Sequence, residues 1–172
     1  MEKTVISLMV ENNAGVLARV ATLFARRGFN IDSLTVAATD DPDVSRITIT
    51  TRGDEQIINQ IVLQTSKLVE VCSIRVENPL EIIQRELLLL KLRTNENDLT
   101  GISAICSIYE AKIVDLSEKS LIVELTGKPG KIDAFLEVLK KYELIEQCRT
   151  GVTTIERGEG AFVYELKESH RC

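Results

Sequence analysis

One order of hydrophobic patterns, strand–helix–strand–strand–helix–strand, is written twice along these 172 residues. That duplication limits the fold more than any other feature. The first copy opens at Thr4–Val10, where Val5, Ile6, Leu8, Met9 and Val10 form a run typical of a buried strand. Asn12-Asn13-Ala14-Gly15 breaks it. Val16, Val20, Leu23 and Phe24 then recur at helical spacing, with Leu17 beside them. Asn12 or Asn13 is placed to cap that helix, and Gly28 to end it. Asn30–Thr39 alternates as a strand through Ile31, Leu34 and Val36. Asp40-Asp41-Pro42-Asp43 is a turn, and Val44–Thr51 returns with Ile47 and Ile49 on one face, Thr48 and Thr50 on the other. Gly53-Asp54 opens a second helix carrying Ile57, Ile58, Ile61 and Val62, and Val69–Val76 is the fourth strand. The order predicts a ferredoxin-like module: two helices on one face of a four-stranded antiparallel sheet.

Asn78-Pro79 marks a boundary, and the pattern begins again. Glu86–Arg93 reads as a strand, and Leu99, Ile102, Ile105, Cys106 and Tyr109 fit a helix. Ala111–Leu116 and Ser120–Thr126 are strands; Pro129 starts a helix through Ile132, Phe135, Leu136 and Leu139; Glu143–Thr150 closes the set. Ile31 matches Ile113 and Leu34 matches Leu116. The expected fold is α+β, two tandem ferredoxin-like βαββαβ modules. Residues 1–77 form the first, 78–84 a linker, 85–158 the second and 159–172 a tail. Within the tail, Ala161-Phe162-Val163-Tyr164 reads as an added strand or a docked arm. A sheet covered by helices on one face leaves its other face and its edges open, which predicts pairing with a second copy.

The residues exclude several functions. The net charge is -5, and the basic residues are dispersed without interleaved aromatics, unlike a nucleic-acid surface. The longest apolar run, Leu87-Leu88-Leu89-Leu90, is too short to cross a bilayer, and no leader precedes the first strand, so a cytoplasmic location is expected. Cys72, Cys106, Cys148 and Cys172 are too scattered for a zinc site; the first three are expected in the core. No GxSxG, P-loop, GxGxxG or HExxH motif is present. His170, beside Cys172, sits where a chain end lacks fixed geometry. Asp40, Asp41 and Asp43 lack the spacing of a calcium loop. Arg26-Arg27 complements a helix dipole. No catalytic residue and no metal site is predicted.

One segment, Glu11-Asn12-Asn13-Ala14-Gly15-Val16-Leu17, carries chemistry. Free N–H groups at a helix start attract an anion, Gly15 lets a carboxylate approach the backbone, and an Asn amide serves either a carboxylate or an ammonium. That set suits a free α-amino acid; an ordinary turn and cap is the other reading.

A βαββαβ module with N-x-x-G-V-L at its first strand–helix junction resembles the ACT domain, an amino-acid-sensing module. The string from Glu11 to Val20, Arg27-Gly28-Phe29-Asn30-Ile31-Asp32-Ser33-Leu34-Thr35-Val36, Asp40-Asp41-Pro42 and Ser45-Arg46 is similar to the small regulatory subunit family of acetolactate synthase (acetohydroxyacid synthase). So are Gly130-Lys131-Ile132-Asp133-Ala134-Phe135, Arg149-Thr150-Gly151 and Arg157-Gly158 in the second half. The resemblance implies a subunit that is not an enzyme. It would bind a catalytic large subunit carrying thiamine diphosphate, magnesium and FAD, with no cofactor on this chain. It would activate that partner and confer valine feedback inhibition in branched-chain amino acid synthesis. Two ACT domains would pair side by side, with Asn12, Asn13, Ala14, Gly15, Val16 and Leu17 of one protomer facing Asn30 and Ile31 of the other. The alternative is an ACT sensor of another amino acid controlling a different enzyme. The second half departs from the sensing pattern, with Asn97 in acidic Asn95-Glu96-Asn97-Asp98 where Gly15 stands in the first. It is therefore expected to be architectural.

Overall fold

The computed structural model describes residues 3–165. They form two compact units. The first contains β1 (Lys3–Glu11), α1 (Val16–Arg26), β2 (Ser33–Ala38), β3 (Val44–Arg52), α2 (Glu55–Thr65) and β4 (Val71–Val76). Its sheet runs β2-β3-β1-β4, antiparallel throughout. Strand alternation sends Ile6, Leu8, Val10, Ile47 and Ile49 to one face, where they meet Val16, Val20 and Phe24 of α1 and Ile58 and Ile61 of α2.

The ends of α1 follow from glycine. Gly28 takes φ +70, and the Gly28 and Phe29 amides donate to Ala25 O and Phe24 O. Phe29 stacks edge-on against Phe24, ring centroids 6.1 Å apart. This is a Schellman closure with its apolar contact. At the other end Gly15 itself is the N-cap, at φ 85, and no side chain caps the helix. The expected capping by Asn12 or Asn13 does not occur, because the helix begins at Val16, beyond both, and Asn12 Oδ1 accepts from Ser45 Oγ instead. α2 is capped as its sequence predicts, by Asp54 accepting from Ile57 N.

The second unit contains β5 (Ile82–Arg93), α3 (Glu96–Tyr109), β6 (Lys112–Leu116), β7 (Ser120–Gly127), α4 (Pro129–Leu139) and β8 (Leu144–Arg149). Its sheet runs β6-β7-β5-β8. Leu88, Leu90 and Leu92 of β5 and Leu121, Val123 and Leu125 of β7 pack on Ile102, Cys106, Ile132 and Phe135. Burial pushes the Cys106 thiol pKa up. Cys148, expected in the core, is exposed: on β8 it pairs with Leu89, on the face without helices. α3 starts on Asn95, whose side chain accepts from both Asn97 N and Asp98 N. Asn95→Ala is expected to lower stability by about 1 kcal/mol in urea unfolding, the ordinary cost of losing such a cap; an unchanged midpoint would show the cap to be idle.

β5 begins at Ile82, and residues from Gly151 onward group with the first unit. Those residues include an unexpected strand, β9 (Thr153–Glu156), which pairs with β5. The segment 161–165 takes no regular secondary structure. His170 and Cys172 lie outside the described residues.

Candidate functional site

The loop between β1 and α1 is held on one side and open on the other. Asn12 N donates to Asp43 O, its Nδ2 donates to Pro42 O at 2.9 Å, and its Oδ1 accepts from Ser45 Oγ at 2.9 Å. Asn12 is therefore tied to the β2–β3 hairpin and positions the loop. Asn13 Nδ2 donates to Glu11 Oε2 at 3.0 Å. Val16 N reaches Asn13 O, and Arg19 N closes the first turn on Gly15 O. The Leu17 and Ala18 amides belong to the first turn, which has no intrahelical acceptor for them and no capping side chain. A Cβ built on Gly15 would find nothing within 4 Å. Leu17 is exposed beside this opening, while Val16 is buried in the core.

Asn30 and Ile31 lie at the opposite end of the same sheet. Glu11 pairs with Val44 and Ala38 with Ser45 at the loop end, whereas Ser33 pairs with Thr50 and Lys3 with Arg52 at the other. The six residues of β2 separate the two ends by roughly 20 Å at about 3.3 Å per residue. Asn30 does not start a strand as its alternation suggests. Its Nδ2 donates to Asp32 Oδ1 and its carbonyl accepts from Thr51 Oγ1 at 2.6 Å, so the chain turns here and β2 begins at Ser33. The Arg52 guanidinium beside Asp32 holds its carboxyl below the ordinary carboxylate range. Ile31 is half-buried, packed against the core on one side. Within one chain the two parts of the predicted site are therefore not brought together.

Asp40, Asp41 and Asp43 form a solvated hairpin turn, with Asp43 N donating to Asp41 Oδ1. No group of three or more metal-ligating side chains occurs among the described residues. An open groove of about 440 Å³ along α1, floored by Leu23 and Leu68 and flanked by Arg19, Arg26 and Arg27, does not include the loop.

The helix-free face of the first sheet carries a polar cluster that is not apparent from local sequence. Ser7, Arg46, Thr48 and Thr50 point there, and the segment from Gly151 crosses over them. A Cβ on Gly151 would collide with Thr35 Oγ1 and press on the Leu34 backbone at 3.2 Å, so only glycine fits above β2. Thr154 Oγ1 reaches Ser7 Oγ on β1 at 3.2 Å and accepts from Arg46 on β3 at 3.0 Å. Glu156 takes Arg75 on β4 at 2.7 Å. Five residue steps, about 16 Å of extended chain, thus span three strand spacings of roughly 4.8 Å. Between them Glu77, its side chain 1% exposed, accepts from Arg46 at 3.4 Å and Arg75 at 3.0 Å. Burial draws the Arg46 pKa below its ordinary value against the pull of Glu77. Burial acts the same way on Arg75, but its bonds to Glu156 and Glu77 outweigh it and raise the pKa. After a turn at Gly158 (φ +71) the chain comes back. The Phe162 ring sits 4.6 Å from the Arg75 guanidinium and 5.5 Å from that of Arg46, and Tyr164 Oη donates to Asp41 Oδ2 at 3.3 Å. The face expected to await a second copy is covered by the chain itself. The edge strand β2, exposed from Val36 to Ala38, is not buried.

These features define a class: two ferredoxin-like modules, the first matching the AHAS small subunit-like ACT domain over residues 6–73. Residues 85–158 match the model described as small subunit of acetolactate synthase. A probable acetolactate synthase small subunit of Methanothermobacter thermautotrophicus is 43% identical over 90% of this chain and 92% of its own. The acetolactate synthase small subunit of Haemophilus influenzae is 41% identical, over 91% and 97%. The crystal structure of the Thermotoga maritima small subunit superposes with a TM-score of 0.85 at 38% identity, over 93% of this chain and 100% of that one. The chain belongs to the acetolactate synthase small-subunit family, and its role is regulatory. Among the described residues no helix is long and apolar enough to cross a membrane.

Proposed function

We propose that this chain activates a catalytic acetolactate synthase subunit and makes it sensitive to valine, which binds at the opening beside Gly15. The observation that carries this reading is the uncapped α1 start: two first-turn amides, a left-handed glycine and empty space beyond it. A carboxylate fits there, because helix-start amides and the macrodipole both favour negative charge. α3 lacks this opening, since Asn95 already occupies its first-turn amides. That supports an architectural second module. The structure aligns Asn95, rather than Asn97, with Gly15 as N-cap.

The second half of the site comes from a second protomer. β2 is an edge strand with Val36, Ala37 and Ala38 exposed. Antiparallel pairing of two copies through β2 sets the hairpin end of one sheet beside the Asn30 end of the other. The two parts separated within one chain then meet across the two-fold axis. Leu17 and Ala14 would line the pocket together with Ile31 of the second copy, Asn13 and Asn30 would serve the ammonium, and Asn12 would hold the loop. The catalytic subunit would carry thiamine diphosphate, magnesium and FAD, none of them on this chain.

Calorimetry with valine, leucine and isoleucine on the purified chain, followed by assay with the catalytic subunit, tests this. Valine binding, partner activation and valine inhibition are expected together. Discrimination among the three ligands is expected to be modest, since one methylene is worth about 1–3 kcal/mol. Tighter binding of an unrelated amino acid, with no effect on the catalytic subunit, would favour a sensor for a different enzyme.

A further inference from the structure

We infer that the C-terminal segment 151–165 is a strap that reads the state of the loop at Gly15, and that β3 at Ser45-Arg46 joins the two. This rests on the proposed valine site. Adjacent residues of a strand face opposite sides of the sheet. Ser45 holds Asn12 of the loop at 2.9 Å; Arg46, next to it, holds Thr154 of the strap at 3.0 Å. The β2–β3 hairpin ahead of them is gripped from both directions as well, Pro42 O by Asn12 and Asp41 by Tyr164. The loop therefore cannot shift relative to the hairpin without loading contacts that the strap also uses. The strap's hold is built for this task. Phe162 covers both guanidiniums that bind Glu77. Release of the ring opens a buried carboxylate and two arginines to water, so the bound and released arrangements are distinct states rather than a continuum. The strap is also the continuation of β8, and so one of the two covalent junctions of the second unit with the first, the other being the β4–β5 connection. Phe162 and Tyr164 act here as positioning residues, through Arg46 and Asp41; neither touches the ligand.

Hydrogen exchange of the full chain with and without valine tests the inference. Valine is expected to slow exchange in residues 12–18 and, in the same titration, in residues 152–156 and 162–164, by about fivefold or more, the lower end of ordinary coupling between sites. In a Phe162→Ala, Tyr164→Phe variant the loop should keep its response while the strap loses it, and valine inhibition of the reconstituted complex should weaken with activation retained. Protection confined to the loop in the unaltered chain would overturn the coupling and leave the valine site standing. No protection anywhere would overturn the valine site, and the strap's role with it.

Discussion

Gly15→Asp is expected to abolish valine inhibition while leaving activation of the catalytic subunit in place. Asp is among the few residues that tolerate the left-handed region, so φ +85 is retained at modest cost. A Cβ at this position meets nothing within 4 Å, so the change introduces no clash inside the chain. The new carboxylate would place a negative charge in the opening beside the helix start, where it would repel a ligand carboxylate. The valine concentration for half inhibition should rise about tenfold or more, equivalent to about 1.4 kcal/mol of lost binding. Gly15→Ala separates the causes, since it adds backbone strain without charge and should act more weakly. Full valine sensitivity in the Asp variant would place the effector elsewhere.

Glu77→Ala should be the most destabilising single change outside the apolar cores. Among the described residues Glu77 is the one carboxylate that pairs with both Arg46 and Arg75, and it is almost fully buried. Removing it leaves Arg46 without its carboxylate beneath Phe162, while Arg75 keeps Glu156. Breaking a buried pair costs about 3–5 kcal/mol. The arginines keep 21% and 30% exposure, which places the expectation near the lower bound of about 3 kcal/mol. Urea unfolding measures it. A loss below about 1 kcal/mol, the range of exposed pairs, would show that the cluster is solvated and contributes little. Arg75→Ala should cost less, since Arg46 remains to neutralise Glu77.

Local periodicity made the two modules legible. Val16, Val20 and Phe24 on one helical stripe, and Ile47 and Ile49 against Thr48 and Thr50 on a strand, announce their partners by spacing alone. So did Gly28, because a helix end needs a left-handed residue. The geometry of the Gly15 loop was not legible: Asn12 looks like a cap in sequence, and its amide is in fact consumed by Pro42 and Ser45. Asn30 was misread for a related reason. Its alternation with Asp32 imitates a strand, while Asn30 and Ile31 take no regular structure, Asp32 bends and β2 begins only at Ser33. The strap was legible only in its last part, where Ala161-Phe162-Val163-Tyr164 reads as an added strand or a docked arm; Phe162 and Tyr164 do dock. Thr153 to Glu156 has too little apolar pattern to stand out, and its partners Ser7, Arg46 and Arg75 come from three strands far along the chain. The row of polar residues on these strands reads as an open face in sequence, because nothing local shows that a distant segment covers it.

Thr154 bonds to Ser7 across 147 positions, and this span governs the order in which the molecule can be completed. The second unit occupies 84–150, an uninterrupted stretch lying inside the first. A chain growing from its N-terminus can finish that inner unit before the outer one has all its parts. Until Thr154, Glu156 and Phe162 have been synthesised, Glu77 and its arginines remain open to water and the first sheet lacks the layer over its polar side. Closing so long a loop is an entropic cost met late, and contacts this distant slow folding. The amino-terminal half, cut at the sequence boundary near 77, would carry the Gly15 loop on a sheet missing its cover.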